Sequence, residues 1–138
     1  EAGFTIKSTD SITHHWREYP QRTSRNSDTY QQDSFFRLKT PYFIKEFKNS
    51  RIQLIGAKKK GKLIAQILKE DHCDFDWYEH DASLIGQKPN GDIIRDIQFL
   101  KKEEACILSI YPDAHLREEL EAYITKRGYY IGANAHYF

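Results

Sequence analysis

The sequence holds no methionine and only two cysteines, Cys73 and Cys106. Two thiols cannot build the disulfide lattice of a small secreted scaffold. Both sit among strand-like residues and read as free, buried thiols in a reducing compartment, hence a cytoplasmic site of action; a single bridge between them is the alternative. With no methionine even at position 1, the chain reads as a fragment or a processed piece of something longer. No apolar run approaches the ~18 residues that a membrane span requires, so no membrane partner is expected. The opening Glu1-Ala2-Gly3-Phe4 lacks the basic-then-apolar order of a signal peptide. Missing too are a Gly-rich phosphate loop, a nucleophile elbow and a nucleotide-binding fingerprint.

What is present suits one small domain. The 138 residues are 39% apolar, 30% charged and 14% aromatic. A chain of this size buries roughly two thirds of its unfolded surface, so residues 1–138 are read as a single domain needing neither disulfide nor metal to fold. The net charge of +1 conceals an asymmetry. Residues 1–70 carry 14 basic and 7 acidic side chains, and residues 71–138 carry 7 and 13. A basic half raises the expectation of a polyanionic partner, RNA or DNA, unless the two halves interleave in space.

Residues 1–34 are polar and weakly patterned and read as a loosely structured N-terminal arm, with one short helix over 11–19 ended by Pro20. From 35 to 138 the pattern reads as an α+β core. Phe35–Leu38 and Tyr42–Phe47 are aromatic and β-branched, hence strand-like. Arg51–Ala57 and Lys62–Leu68 read as a hairpin around Lys58-Lys59-Lys60-Gly61, with Gly61 supplying a positive φ. Phe75–Ala82 alternates large apolar with polar residues, and Asp92–Leu100 resumes strand after the turn Lys88-Pro89-Asn90-Gly91. The continuous apolar run 105–111 reads as a buried central strand. A helix over 114–127 follows, capped by Asp113 and closed by Gly128, with Leu116, Leu120, Tyr123 and Ile124 on one buried face. A strand beginning at Tyr129 then pairs with 105–111, in parallel if the crossover is right-handed. The expected architecture is a mainly antiparallel sheet of about five to seven strands with one C-terminal helix packed on it.

Four groups of residues point to chemistry. Lys58, Lys59, Lys60 and Lys62 on an exposed turn, with Arg37 and Arg51 on neighbouring strands, supply cations suited to phosphates, a nucleic-acid-binding set without sequence readout. The bland reading of the same residues is a solvated turn. Asp74, Asp76 and His80 share one face of a regular strand and form a candidate site for Mg²⁺, Mn²⁺ or Zn²⁺. The bland reading there is the solvent face of an edge strand. Six histidines and nine tyrosines supply groups for metal-free phosphodiester cleavage, with His72, His80, Tyr78 and His136 as catalytic candidates. Tyr123-Ile124-Thr125-Lys126 resembles the Tyr-x-x-Lys nucleophile motif of rolling-circle replication initiators. Their paired-His metal motif has no counterpart here, and Tyr123 falls on the apolar helix face.

Two function classes follow. One is a small nucleic-acid-binding or nuclease-type domain, a hydrolase acting on phosphodiester bonds and a detachable effector or toxin domain. The other is a non-catalytic protein-interaction or regulatory binding module. Convergence of two or more histidines with a Lys or Arg in one cleft separates them.

Overall fold

Five short strands are each paired in parallel with their neighbours. The computed structural model describes residues 32–102, 104–109 and 114–138. In chain order the elements are α1 (Gln32–Glu46), β1 (Ile52–Ile55), α2 (Lys59–Glu70), β2 (Phe75–Glu79), β3 (Ile94–Asp96), β4 (Ala105–Leu108), α3 (Ala114–Thr125) and β5 (Ala135–Tyr137). The sheet order is β3-β2-β1-β4-β5. Ile52 stands beside Phe75 on one side and Ala105 on the other, and Leu54 beside Trp77 and Ile107.

The expected antiparallel sheet is therefore wrong. Every pairing is parallel, which removes the hairpin and replaces it with β–α–β units. The reason lies in the residues around Gly61. Gly61, Ile64, Ala65 and Leu68 are buried at spacings of three and four, the stripe of a helix. A short isoleucine-rich segment satisfies a two-residue period almost as well, and length did not separate the two. Residues 35–47 make the same point. Phe36, Thr40 and Phe43 are buried at i, i+4 and i+7, so tertiary packing overrides the aromatic strand preference. The helix even accommodates Pro41, whose missing N–H leaves the Arg37 carbonyl without its helical donor. The Thr40 hydroxyl donates to the Phe36 carbonyl, 2.8 Å, one turn back.

The apolar side chains divide into two layers. On one face Ile52, Leu54, Trp77, Ala105 and Ile107 pack with Phe36 and Phe43 of α1 and Ile64, Ile67 and Leu68 of α2. On the other, Ile55, Tyr78, Cys106 and Leu108 pack with Ile124 of α3, Leu100 and Tyr129. The chain runs outward from β1 to β2 through α2, and outward in the opposite direction from β4 to β5 through α3. Right-handed crossovers leaving the centre in opposite directions put their helices on opposite faces, as observed.

Some expectations hold in part. Residues 105–108 form a central strand buried at every position, and the strand after α3 pairs with it in parallel, at 135–137 rather than from 129. Asp92–Leu100 contributes three residues of strand and then a 3₁₀ turn over Ile97–Phe99. α3 ends at Thr125. Of its expected buried face only Ile124 is fully buried; Leu120 and Tyr123 are half-buried, and Leu116 is 45% exposed. Asp113, the helix expected over 11–19 and the arm through residue 31 lie outside the described residues. Cys73 and Cys106 are both free. No described helix is long and apolar enough to cross a membrane.

Candidate functional site

The strand order reverses between β1 and β4, because the connections leaving them run to opposite edges. In an open parallel sheet the loops at the carboxyl ends of two such strands diverge and leave a crevice between them. A cleft of about 260 Å³ lies at that point, lined by Gly56, Lys58, Lys59, Lys60, Glu79, His80, Ser109 and Leu116. These residues end β2, follow the ends of β1, β2 and β4, or open α2 and α3.

The floor of the cleft is the turn from β1 into α2. Gly56 has φ 103°, a left-handed value that disfavours any residue with a Cβ. Its N–H donates to the Tyr78 carbonyl, 2.9 Å. Its carbonyl accepts from the Trp77 indole N–H, 2.9 Å, and from the Ser109 hydroxyl, 3.0 Å. The next amide, Ala57, donates to Glu79 Oε2 at 2.7 Å. The turn is thus held by side chains of β2 and of the residue after β4, across both neighbouring strands. Gly61, in the first turn of α2, touches this carbonyl: a Cβ there would lie 1.9 Å from the Gly56 oxygen. Gly61 serves close approach of helix to strand, not the positive φ of a hairpin.

Gly56-Ala57-Lys58-Lys59-Lys60-Gly61 therefore carries the first and last glycines of a G-x-G-x-x-G turn between strand and helix, with Lys58 in the middle position. In dinucleotide sites the first glycine makes the turn, the middle one lets backbone approach a pyrophosphate, and the last brings helix against strand. Here the middle position offers an ammonium in place of close backbone approach. The missing middle glycine and the hairpin reading hid this turn in the sequence. The recoverable signal was two glycines five residues apart, directly after Ile-Gln-Leu-Ile.

Electrostatics around the cleft favour an anion. Lys58 and Lys59 are exposed, and the amino end of α2 carries the positive pole of its dipole, with no cap from the side chain of Lys58. Glu79 is 2% exposed, and its carboxylate is fully engaged. Besides Ala57 it accepts from the backbone N–H groups of His80, 2.8 Å, and Asp81, 3.3 Å, and lies 2.8 Å from His80 Nδ1. Asp81 is the competing anion: the hydroxyl and amide of Ser83, with lesser help from Lys58 and His80, hold its carboxyl below the usual range.

The residues expected to act are brought together only in part: Lys58, Lys59, Lys60 and His80 share the cleft, and the others lie elsewhere. Of the basic set, Lys58, Lys59 and Lys60 line the cleft. Lys60 turns its Nζ to the Phe138 carbonyl, 2.5 Å, and over the Phe36 ring. Lys62 is exposed on α2. Arg37 pairs with Asp33 and Glu70, and Arg51 pairs with Asp76, 2.9 Å, at the opposite end of the sheet. The acidic half thus meets part of the basic half in space. Of the catalytic candidates, His72 sits in the turn after α2 with φ 53° and His80 at the far end of β2. Tyr78 is buried; burial, then the nearby Asp76, pushes its phenol up. His136 packs on β5 against the Phe43 and Phe47 rings. The structure does not bring these four together. Nor does it bring together Asp74, Asp76 and His80, since six residues of strand span about 20 Å; among the described residues no group of three or more metal-ligating side chains converges. Tyr123 donates its hydroxyl to the Ile97 carbonyl, 3.1 Å, in a packing role.

Asp76 is held by cations instead of holding one. It is 3% exposed and accepts from Arg51, Lys101 (2.8 Å) and Arg95. Burial pushes its pKa up, but hydrogen bonds from Lys101, Arg95 and Arg51 outweigh this and bring it to about 2. The folded pKa lies below the unfolded value of about 3.9, so the group stabilises the fold above about pH 4 and loses that contribution as pH falls through 2. The amount is about 2 kcal/mol, an upper figure because its partners lie half in water. Urea midpoints at pH 6, 4, 3 and 2 should fall in the native chain over the lower interval. Asp76→Asn should start lower and fall less; parallel curves would refute the assignment.

Comparison with protein-family models, curated proteins and solved structures finds no match to this chain.

Proposed function

We propose that this domain is a binding module for a small phosphorylated ligand, seated in the cleft where the strand order reverses. The observation that carries the reading is the turn Gly56–Gly61, clamped by Trp77, Glu79 and Ser109 beneath two exposed lysines. A rigid turn presents its charge without further ordering on binding, which lowers the entropic penalty of association. The ligand is small because the cleft is small, and anionic because Lys58, Lys59 and the helix dipole have one sign while the Glu79 carboxylate is buried and turned to its own N–H donors. This favours the regulatory binding module among the two classes that composition suggests. The nuclease reading requires a general acid and a general base in one place, and of the four groups suited to it among the described residues only His80 reaches the cleft.

The test is calorimetric titration and thermal melting with pyrophosphate and with nucleoside phosphates. A ligand at a hundred times its dissociation constant should stabilise the native state by about 2.7 kcal/mol. Replacing Lys58 and Lys59 together by Ala should weaken binding about tenfold, equivalent to ~1.4 kcal/mol, without lowering the melting temperature of the unliganded protein. Absence of any shift with all phosphates at millimolar concentration excludes the reading.

A further inference from the structure

The face of α3 that sequence periodicity assigns to the core is only partly used there. Ile124 is fully buried, whereas Leu120 and Tyr123 are half-buried and Leu116 is 45% exposed. Moving from Ile124 toward the amino end of the helix, the apolar stripe leaves the core and lines a groove of about 300 Å³ with Ile97, His80 and Glu119. His80 and Leu116 line both this groove and the anion cleft. The two hollows therefore share a wall, one end cationic and the other apolar.

We infer that cleft and groove form one site for a nucleoside phosphate. The phosphate lies at Lys58 and Lys59 over the Gly56–Gly61 turn, and the base enters among Ile97, Leu116, Leu120 and Tyr123. This deepens the reading of the cleft as an anion site and rests on it. Three features select the occupant. First, the charge and the apolar surface are adjacent, so the ligand joins a short anion to a compact apolar group. Second, Leu116 to Tyr123 is two helical turns, about 10 Å; that matches a base with its sugar and is too short for an extended acyl chain. Third, the groove is rigid where a planar ring would enter, because the Tyr123 hydroxyl is bonded to the Ile97 carbonyl and the Arg127 guanidinium lies 3.8 Å over the tyrosine ring. Cleft and groove taken as one fall within the roughly 300–1,000 Å³ of small-molecule sites. At the lip, His80 provides a polar atom for a sugar hydroxyl or a base edge. Glu79 does not take that role, although it stands near the position where dinucleotide sites carry a ribose-binding acid, because its oxygens already serve three backbone N–H groups and His80.

Isothermal titration of the full chain with pyrophosphate, with ADP, GDP, CDP and UDP, and with the four nucleosides tests this. At least one diphosphate should bind ten times or more tighter than pyrophosphate. Leu120→Ala, in the groove but outside the lining of the anion cleft, should cut that surplus severalfold while leaving pyrophosphate affinity within twofold; Ile97→Ala, likewise confined to the groove, serves as the second variant if the first perturbs folding. Lys58→Ala with Lys59→Ala should weaken both ligands. Equal binding of pyrophosphate and every diphosphate, or a surplus that survives both the Leu120 and the Ile97 variant, overturns the groove assignment and leaves the anion cleft standing. No binding by any of these ligands overturns both.

Discussion

Gly61→Ala should destabilise the domain by about 3 kcal/mol, although it introduces the best helix former into a helix. Propensity alone gives the opposite sign, a gain of about 1 kcal/mol for Gly→Ala in a helix interior. The close approach decides the sign. The new Cβ would stand 1.9 Å from the Gly56 oxygen, 2.7 Å from its carbonyl carbon and 2.9 Å from the Ser109 hydroxyl oxygen. The Gly56 peptide has nowhere to retreat: its N–H is bonded to Tyr78 and its carbonyl to Trp77 and Ser109. Relief then requires α2 to lift from the sheet, which opens space around Ile64 and Leu68, or the turn to break buried hydrogen bonds. Overpacking of this kind costs roughly 1–3 kcal/mol, and each orphaned buried polar group about 1–3 more. Urea denaturation of Gly61→Ala beside Lys62→Ala, an exposed neighbour expected to stay within about 0.5 kcal/mol, measures the difference. A Gly61→Ala protein as stable as the native chain would mean that α2 does not rest on the β1 turn as described.

The parts of this fold legible in the sequence are those where one period is unambiguous. Residues 105–108 are apolar without interruption, and only a strand covered on both faces needs that. Residues 114–125 alternate charge and leucine with helical spacing over three turns, long enough to exclude a strand. The segments at 35–47 and 62–68 are the failures. Their aromatic and isoleucine content carries strand propensity, while their burial follows a helical stripe. Which of these wins is set by the parallel sheet they cover, a fact that no local window contains. One wrong helix–strand assignment at 62–68 converted a crossover into a hairpin and so reversed the direction of a strand, and with it the class of the whole sheet.

The site was less legible for a related reason. Lys58 and Lys59 stood out as cations and do line the cleft, and His80 stood out as imidazole and does as well. Gly56, Glu79, Ser109 and Leu116 did not, because each is ordinary in its local context. Gly56 ends an apolar run, and Leu116 is one of several leucines on an amphipathic stripe. Their significance comes from adjacency of β1 with β2 and β4, which only the strand order creates. Composition misled at Asp76 in the same way. A carboxylate in an acidic stretch suggests a metal ligand, yet Arg51, Arg95 and Lys101 arrive from three other segments and neutralise it.

Glu79→Ala should lose about 2–3 kcal/mol, the cost of leaving the buried Ala57 N–H without an acceptor and of losing hydrogen bonds to a charged group. Glu79 is the last residue of β2, and its side chain reaches across to the β1 turn. One oxygen accepts from Ala57, the other from His80 and Asp81, with His80 Nδ1 at 2.8 Å. The Ala57 residue is fully buried, so its N–H has no route to water when the carboxylate is gone. Glu79→Gln distinguishes charge from shape. The amide oxygen can replace one carboxylate oxygen, but its NH₂ then faces a donor where an acceptor is needed, and about half the full loss should remain. Hydrogen exchange at Ala57 should accelerate in both variants. The same pair separates two roles in binding. If Glu79 only braces the turn, each variant weakens pyrophosphate and nucleoside diphosphate by the same factor. If it instead holds a sugar hydroxyl, Glu79→Gln weakens the diphosphate alone. The geometry predicts the equal factor, since no oxygen of Glu79 is left for a ligand. A loss below about 1 kcal/mol for Glu79→Ala would show that water reaches the turn and that the clamp is not what holds it.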